Sequence, residues 1–488
     1  MDLTAIYRRF LRNAGLVVGS RVVFGLLNLA TTVLVVRAFG LAELGAVLLL
    51  QSYARLFSEV VKFQSWQAVL RFGALLEDRG DRAGFRRLIG FTLTLDLVSF
   101  AVAIGAAIAM IPWVRVWFDW PDAVAAFAPV YLLSIVFITH ATPNGILRLF
   151  DRVDLIALQF ASNAVLRLAG VGVAVLLGGG VEHLVMAWFA ASVLSGSAVI
   201  AGAVRELWRR GLAPRLRTGW GAAAREFPGI WRYLWLANLT SVAGLVVNYA
   251  TVLVVGAQLG AAAAATFDIA RQVSSAIARP ARLLGPLLFP EFSRLAARGD
   301  WLVLRRIMTR VLGVTALVLT GIGAALFAVL PELVALLFGA ELLDAIWLFR
   351  LLLAGAMIRM LGFALEPAFL SANKAGTSLL IQFAATGVYV AIAAPGLGPL
   401  GLTAIGVGML GFNITHLVLF LGLGGRLLGK RIRRGRMRAA GPGEAGGAGG
   451  LPEPAAEAAL PRGAPGWSGR GGPEDAADGP GPGFPRRF

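Results

Sequence analysis

The apolar residues of this 488-residue chain gather into long uninterrupted runs. Each is close to the 17–25 residues needed to cross a hydrocarbon core of roughly 30 Å. That leaves few folds open. Backbone N–H and C=O groups find no water in lipid, so a spanning segment must be a helix or part of a closed barrel. The runs show no period-2 alternation, and helices follow. Composition agrees: 58% of the residues are hydrophobic and 15% are charged, where a soluble chain carries about 25% charge to solvate its surface. The first run is too long for a signal peptide and lacks a small-residue cleavage site, so it reads as a retained helix.

Apolar runs read against their charged interruptions predict twelve spans. The first six cover residues 15–36, 44–68, 88–111, 124–139, 155–177 and 184–204. The second six cover 231–256, 261–289, 307–330, 345–365, 377–394 and 400–423. The net charge of +18 would point to nucleic acid in a soluble protein. Here it reads as basic loops held on the cytoplasmic side, and no nucleic-acid partner is expected. With a cytoplasmic N-terminus, 32 lysines and arginines up to Arg438, in loops or at the cytoplasmic ends of spans, fall on that side, and only Arg37 and Arg115 on the other. One invented or missed span would scramble that bias, so both termini are expected inside. Trp113, Trp117 and Trp120 mark the outer end of the third span, as an interfacial aromatic belt would.

A repeat divides the chain. Thr32-Val33-Leu34-Val35-Val36 returns as Thr251-Val252-Leu253-Val254-Val255, and Arg79-Gly80-Asp81 returns as Arg298-Gly299-Asp300. Arg86-Arg87 match Arg305-Arg306, and Pro112 matches Pro331, always 219 positions on. The predicted fold is therefore all-α and integral to the membrane, with two six-helix lobes in parallel pseudo-twofold repeat. Residues 1–204 form the first lobe, 205–230 an amphipathic cytoplasmic linker, and 231–425 the second lobe. Residues 426–488 form a basic, then Gly/Pro-rich disordered cytoplasmic tail. An even number of spans per repeat inserts both lobes the same way up. This is the architecture of transporters whose halves rock about a central site.

Besides those at the cytoplasmic ends of spans, seven basic residues lie inside predicted spans: Arg21, Arg55, Lys62, Arg167, Arg271, Arg350 and Arg359. Each costs about 2.5–3.5 kcal/mol near a helix centre unless it faces a partner or a watery cavity. The acids beside them are Glu59, Asp96, Asp268 and Glu366. Arg55, Glu59 and Lys62 share one helical face, as do Asp268, Arg271 and Ser275. Internal pairing accounts for part of this charge and leaves a positive surplus. A cationic lumen suits an anionic cargo, and guanidinium groups match phosphate geometry. Arg21, Arg55, Lys62, Arg167, Arg271 and Arg359 are the expected cargo-binding residues. Glu59, Asp96, Asp268 and Glu366 are the candidates for ion coupling.

Chemistry of other kinds finds little support. With no cysteine, disulfides and thiolate metal sites are ruled out. His140, His183 and His416 lie far apart, without metal-ligand or nucleophile–base spacing. No catalytic residue, metal or cofactor is expected.

The stretch Leu34-Val35-Val36-Arg37-Ala38-Phe39-Gly40-Leu41-Ala42-Glu43-Leu44-Gly45, with Leu288-Phe289-Pro290-Glu291-Phe292-Ser293-Arg294-Leu295, resembles a known group. It is similar to the polysaccharide-transporter branch of the MATE-like flippase superfamily, the Wzx-type O-antigen and lipopolysaccharide flippases. The resemblance covers about the first 425 residues. It implies twelve helices around a central lumen in the bacterial inner membrane. It also implies an undecaprenyl-pyrophosphate-linked oligosaccharide as cargo, membrane lipids as surroundings, and other polysaccharide-assembly proteins as partners. In the related lipid II flippases, arginines on the first, second and eighth helices line the lumen, and Arg21, Arg55 and Arg271 lie on those helices here. Those flippases have fourteen helices and an outer acid on the first. Twelve spans, with Arg37 and Glu43 at that position, speak against lipid II. The rivals are a drug or cation antiporter of the same fold and a membrane polysaccharide polymerase. The first wants lumenal carboxylates, and the second a large outer loop.

Overall fold

A computed structural model describes residues 24–214, 225–242, 249–371 and 375–439. Arg21, part of the expected linker and the tail beyond residue 439 lie outside the described residues. Among the described residues the chain is helical, with no strand. The first half comprises α1 (Phe24–Phe39), α2 (Leu41–Val61), α3 (Ser65–Asp78) and α4 (Arg82–Trp117). It continues through α5 (Asp122–Leu132), α6 (Ile135–Thr139), α7 (Ala141–Leu149), α8 (Val153–Leu176) and α9 (Val181–Arg209). The second half comprises α10 (Ile230–Val242), α11 (Thr251–Leu259), α12 (Ala261–Arg298) and α13 (Trp301–Phe338). It ends in α14 (Ile346–Leu361), α15 (Leu365–Ser371), α16 (Ala375–Leu400) and α17 (Leu402–Ala439).

Helix covers most of the described part of each predicted span, with breaks at 62–64, 133–134 and 362–364. Among the described residues, eight helices are long and apolar enough to cross a membrane, or nine if the bent pair α5 with α6–α7 is one span. The helices also outrun their apolar windows: α9 continues to Arg209 and α17 to Ala439.

The two halves share their corners. Gly80 and Gly299 both adopt left-handed φ, 68° and 78°, a conformation that glycine reaches without a Cβ penalty. Each is followed by the N-cap of a long helix, Asp81 before α4 and Asp300 before α13. Those helices run 36 and 38 residues, with Pro112 and Pro331 near their far ends. The Arg-Gly-Asp triplets thus mark equivalent turns.

One core joins the halves. Leu49, Leu50 and Tyr53 of α2 are buried in the same cluster as Val255, Phe267 and Phe349. At the contact Gly45 permits the approach, since a Cβ there would lie 1.9 Å from the Ala261 carbonyl oxygen. Leu97, Val102, Leu158, Leu194, Leu317 and Leu380 are turned outward, as lipid-facing side chains would be.

The halves also differ. Helix α2 stops at Val61, Lys62 is extended, and α3 resumes at Ser65. Its counterpart α12 runs unbroken for 38 residues. The fourth predicted span bends by 54° between α5 and α6–α7, with a further break at His140. The expected aromatic belt is only partly present. Trp113 and Trp117 are exposed, whereas Trp120 is 4% exposed and packs on Tyr53 with ring centroids 5.8 Å apart. The chain turns at Asp119, whose φ is 45°, and this carries Trp120 back into the core.

Candidate functional site

The charged stripe of α2 divides at its break. Glu59 pairs with Lys62 at 2.5 Å, closing the end of the helix. Arg55, one turn earlier, is left to face other elements. Its guanidinium lies beside Glu59, Tyr131 of α5 and Tyr249, which hydrogen-bonds it. Tyr249 stands just before α11 and also faces Arg271 of α12. The Tyr249 phenol is therefore hydrogen-bonded to Arg55 of the first half and within electrostatic range of Arg271 of the second. Arg271 is ion-paired to Asp268 on its own helix, yet its Nε is buried without a hydrogen-bond partner.

Behind Arg55 lies Arg167 of α8, 6% exposed. It faces Tyr131 and Arg55 and stacks its guanidinium over Trp188 of α9, 5.3 Å from the ring centroid. No carboxylate pairs with it among the described residues. The Arg167 Nε, the Tyr131 hydroxyl and the Trp188 Nε1 are all buried without a hydrogen-bond partner. Arginine and tryptophan only donate, and a tyrosine hydroxyl can donate. The cluster Arg55, Tyr131, Arg167 and Trp188 is thus rich in donors and poor in acceptors. An isolated buried charge costs several kcal/mol, and an anion placed here would lower that cost.

The other expected residues lie elsewhere. Arg359 donates its Nε to Asn413 Oδ1 at 3.0 Å and lies over Phe412. Arg350 stacks on Trp347. Lys62 faces Asp96 and His140 at the helix breaks. Asp96 is buried on α4 and accepts from Ser65 Oγ at 2.6 Å and from the Thr142 amide at 2.8 Å. Glu366 is exposed near the start of α15. Among the described residues no group of three His, Asp or Glu side chains is placed to hold a metal ion.

Sequence reasoning missed Tyr131, Tyr249 and Trp188. A tyrosine in an apolar run carries no sign of its direction. Tyr249 had one signal: 219 positions earlier the first half has Ala30, so this ring is a departure from the repeat.

Residues 91–347 match the family described as polysaccharide biosynthesis protein. The Inner membrane protein YghQ of Escherichia coli strain K12 is 33% identical over 346 residues, which is 70% of this chain and 95% of that one. Among solved structures, an inward-facing multidrug-resistance MATE transporter of the MOP superfamily is similar with a TM-score of 0.68 at 17% identity. The match covers 84% of this chain and 96% of that one. The lipid II flippase MurJ, in an inward closed conformation, gives 0.63 at 13% identity over 82% and 86% of the two chains. At these identities the likeness is one of fold, and it establishes the MATE-like architecture.

Proposed function

Since the chain belongs to the polysaccharide biosynthesis protein family, we propose that it is a transporter rather than an enzyme. Its cargo is a polyprenyl-pyrophosphate-linked glycan, flipped from the inner to the outer leaflet of the cytoplasmic membrane. A relative named as an inner membrane protein supports that location, and the arginine bias of the loops supports cytoplasmic termini.

One observation carries the reading: Arg167 is buried, with no carboxylate partner among the described residues, within a cluster of donors that reaches Arg55 and, through Tyr249, Arg271 of the other half. A site of this kind recognises phosphate oxygens. A cationic drug would need free carboxylates. Here Glu59 and Asp268 are already paired, and Asp96 accepts two hydrogen bonds.

In this mechanism Arg55, Arg167 and Arg271 hold the pyrophosphate between the lobes, the sugar fills the lumen, and the prenyl chain stays in lipid. Rocking of the lobes then exposes the site to each side in turn. An inside-negative potential favours outward movement of the anion by about 2.3 kcal/mol per charge per 100 mV. The test is cargo selectivity in proteoliposomes. A pyrophosphate-linked sugar lipid should cross and a cationic dye should not; dye efflux without lipid translocation would overturn the reading.

A further inference from the structure

The break between α2 and α3 and the break between α6 and α7 meet at one place. Ser58, in the last turn of α2, is hydrogen-bonded to Thr139, the last residue of α6. Ser65 opens α3, and Thr142 is the second residue of α7. Both donate to the Asp96 carboxylate, from a side chain and a backbone amide respectively. Asp96 is 4% exposed. Two new helices thus begin at a single acid. The first N–H groups of a helix have no intrahelical partner, and negative charge at a helix N-terminus is stabilising.

The helices that start at Asp96 form one body. α3 packs along α7 closely enough that a Cβ on Gly145 would lie 2.8 Å from the Trp66 Cα. The charged groups around the acid are few. Lys62, in the gap after α2, faces Asp96 and is bonded to Glu59. His140, in the gap before α7, is held by the Phe137 carbonyl and by Gln159 of α8. From α10, Tyr233 donates to Gln67, and from α7 Arg148 lies over Trp66.

The second half lacks this arrangement. The residues 219 positions after Asp96, Ser65 and Thr142 are Thr315, Leu284 and Leu361. Helix α12 runs straight through the position where α2 breaks. The acid and the α2–α3 break occur together in one half and are missing together from the other, which ties the carboxylate to the hinge.

We propose that Asp96 is a proton-binding site whose occupancy sets the angle of the α3–α7 pair against α4. Ionised, it holds both helix starts and attracts Lys62. Protonated, it loses the charge that pins them, and the pair swings. The hinge stands on the geometry alone. Its use in coupling protons to transport rests on the function proposed above.

The chain has no cysteine, so spin labels on Leu75→Cys of α3 and Val102→Cys of α4, both exposed, can report the angle in nanodiscs without cargo. The expected result is a distance that changes as pH falls, independently of sodium. In Asp96→Asn the low-pH distance should persist at every pH. Ser65→Ala keeps the acid but removes a donor to its charged form, so the midpoint should move up by about one pH unit. His140→Gln should leave the midpoint in place. A wild-type response retained in Asp96→Asn, or lost in His140→Gln, would overturn the site, as would a distance that follows sodium and not pH. A pH-driven hinge with no lipid translocation would leave the site intact and sink the transporter reading instead.

Discussion

Arg37, at the end of α1, donates its Nε to the backbone carbonyl of Leu337, 3.1 Å away and 300 residues later in the chain. The same guanidinium also reaches the Leu336 carbonyl. These oxygens belong to the last turn of α13, where carbonyls lack intrahelical partners and a cation is favoured. Arg37 is one of only two arginines in the loops that the charge bias leaves poor in basic residues. The contact supplies a reason: it fastens the two halves at the end where α2 meets α12.

Removing that fastening should loosen this end. Arg37→Ala should raise the rate at which a polar maleimide reaches a cysteine at Leu49, which is buried against Gly256. About tenfold or more is expected for losing a charge-assisted contact of roughly 1.5 kcal/mol or more. Arg37→Lys should fall between wild type and alanine, because one ammonium can serve a carbonyl without matching both. An unchanged labelling rate in Arg37→Ala would mean that the contact does not hold the halves.

The same interface predicts an asymmetry between two glycines. Gly45→Ala places its Cβ into the Ala261 backbone, which cannot move aside as a flexible side chain could. It should destabilise the protein by about 1–3 kcal/mol. Gly105→Ala, in open space on α4, should be neutral or stabilising by about 0.5–1 kcal/mol, as for other helix-interior glycines. Thermal unfolding in one detergent compares the two directly. Equal effects would show that the halves do not approach this closely.

Arg167 gives a prediction of opposite signs. Arg167→Met removes an unpaired buried charge, so the protein without ligand should unfold at a higher temperature. The same change should abolish the stabilisation conferred by added pyrophosphate, which in wild type grows with concentration through mass action. Differential scanning fluorimetry with and without pyrophosphate separates the two effects. A variant less stable than wild type but still protected by pyrophosphate would make Arg167 a packing residue.

Much of the architecture was legible because lipid leaves the backbone so little choice. Apolar length located the helices, and the Arg-Gly-Asp corners revealed the repeat that Gly80 and Gly299 now display as matching turns. Arg55 and Arg271 were legible as a pair because charge inside a bilayer needs a reason. What stayed hidden was direction. The i, i+4 stripe places Arg55 beside Glu59, and the break after Val61 brings Lys62 onto the same carboxylate. Asp96 looked like an isolated acid because its donors, Ser65 and Thr142, are made available only by breaks in two other spans. Lys62 and Arg359, grouped by depth alone with the arginines proposed to bind cargo, have neighbours at the helix breaks and on α17.

A cationic cluster that draws on both halves is proposed to carry a pyrophosphate-linked lipid. The most direct measurement is translocation of a fluorescent polyprenyl-pyrophosphate-linked sugar in proteoliposomes containing wild type, Arg55→Ala, Arg271→Ala or the double variant. At least a tenfold loss of rate is expected in each single variant, equivalent to about 1.4 kcal/mol or more, and no detectable transport in the double. Wild-type rates in correctly folded Arg55→Ala and Arg271→Ala protein would contradict it.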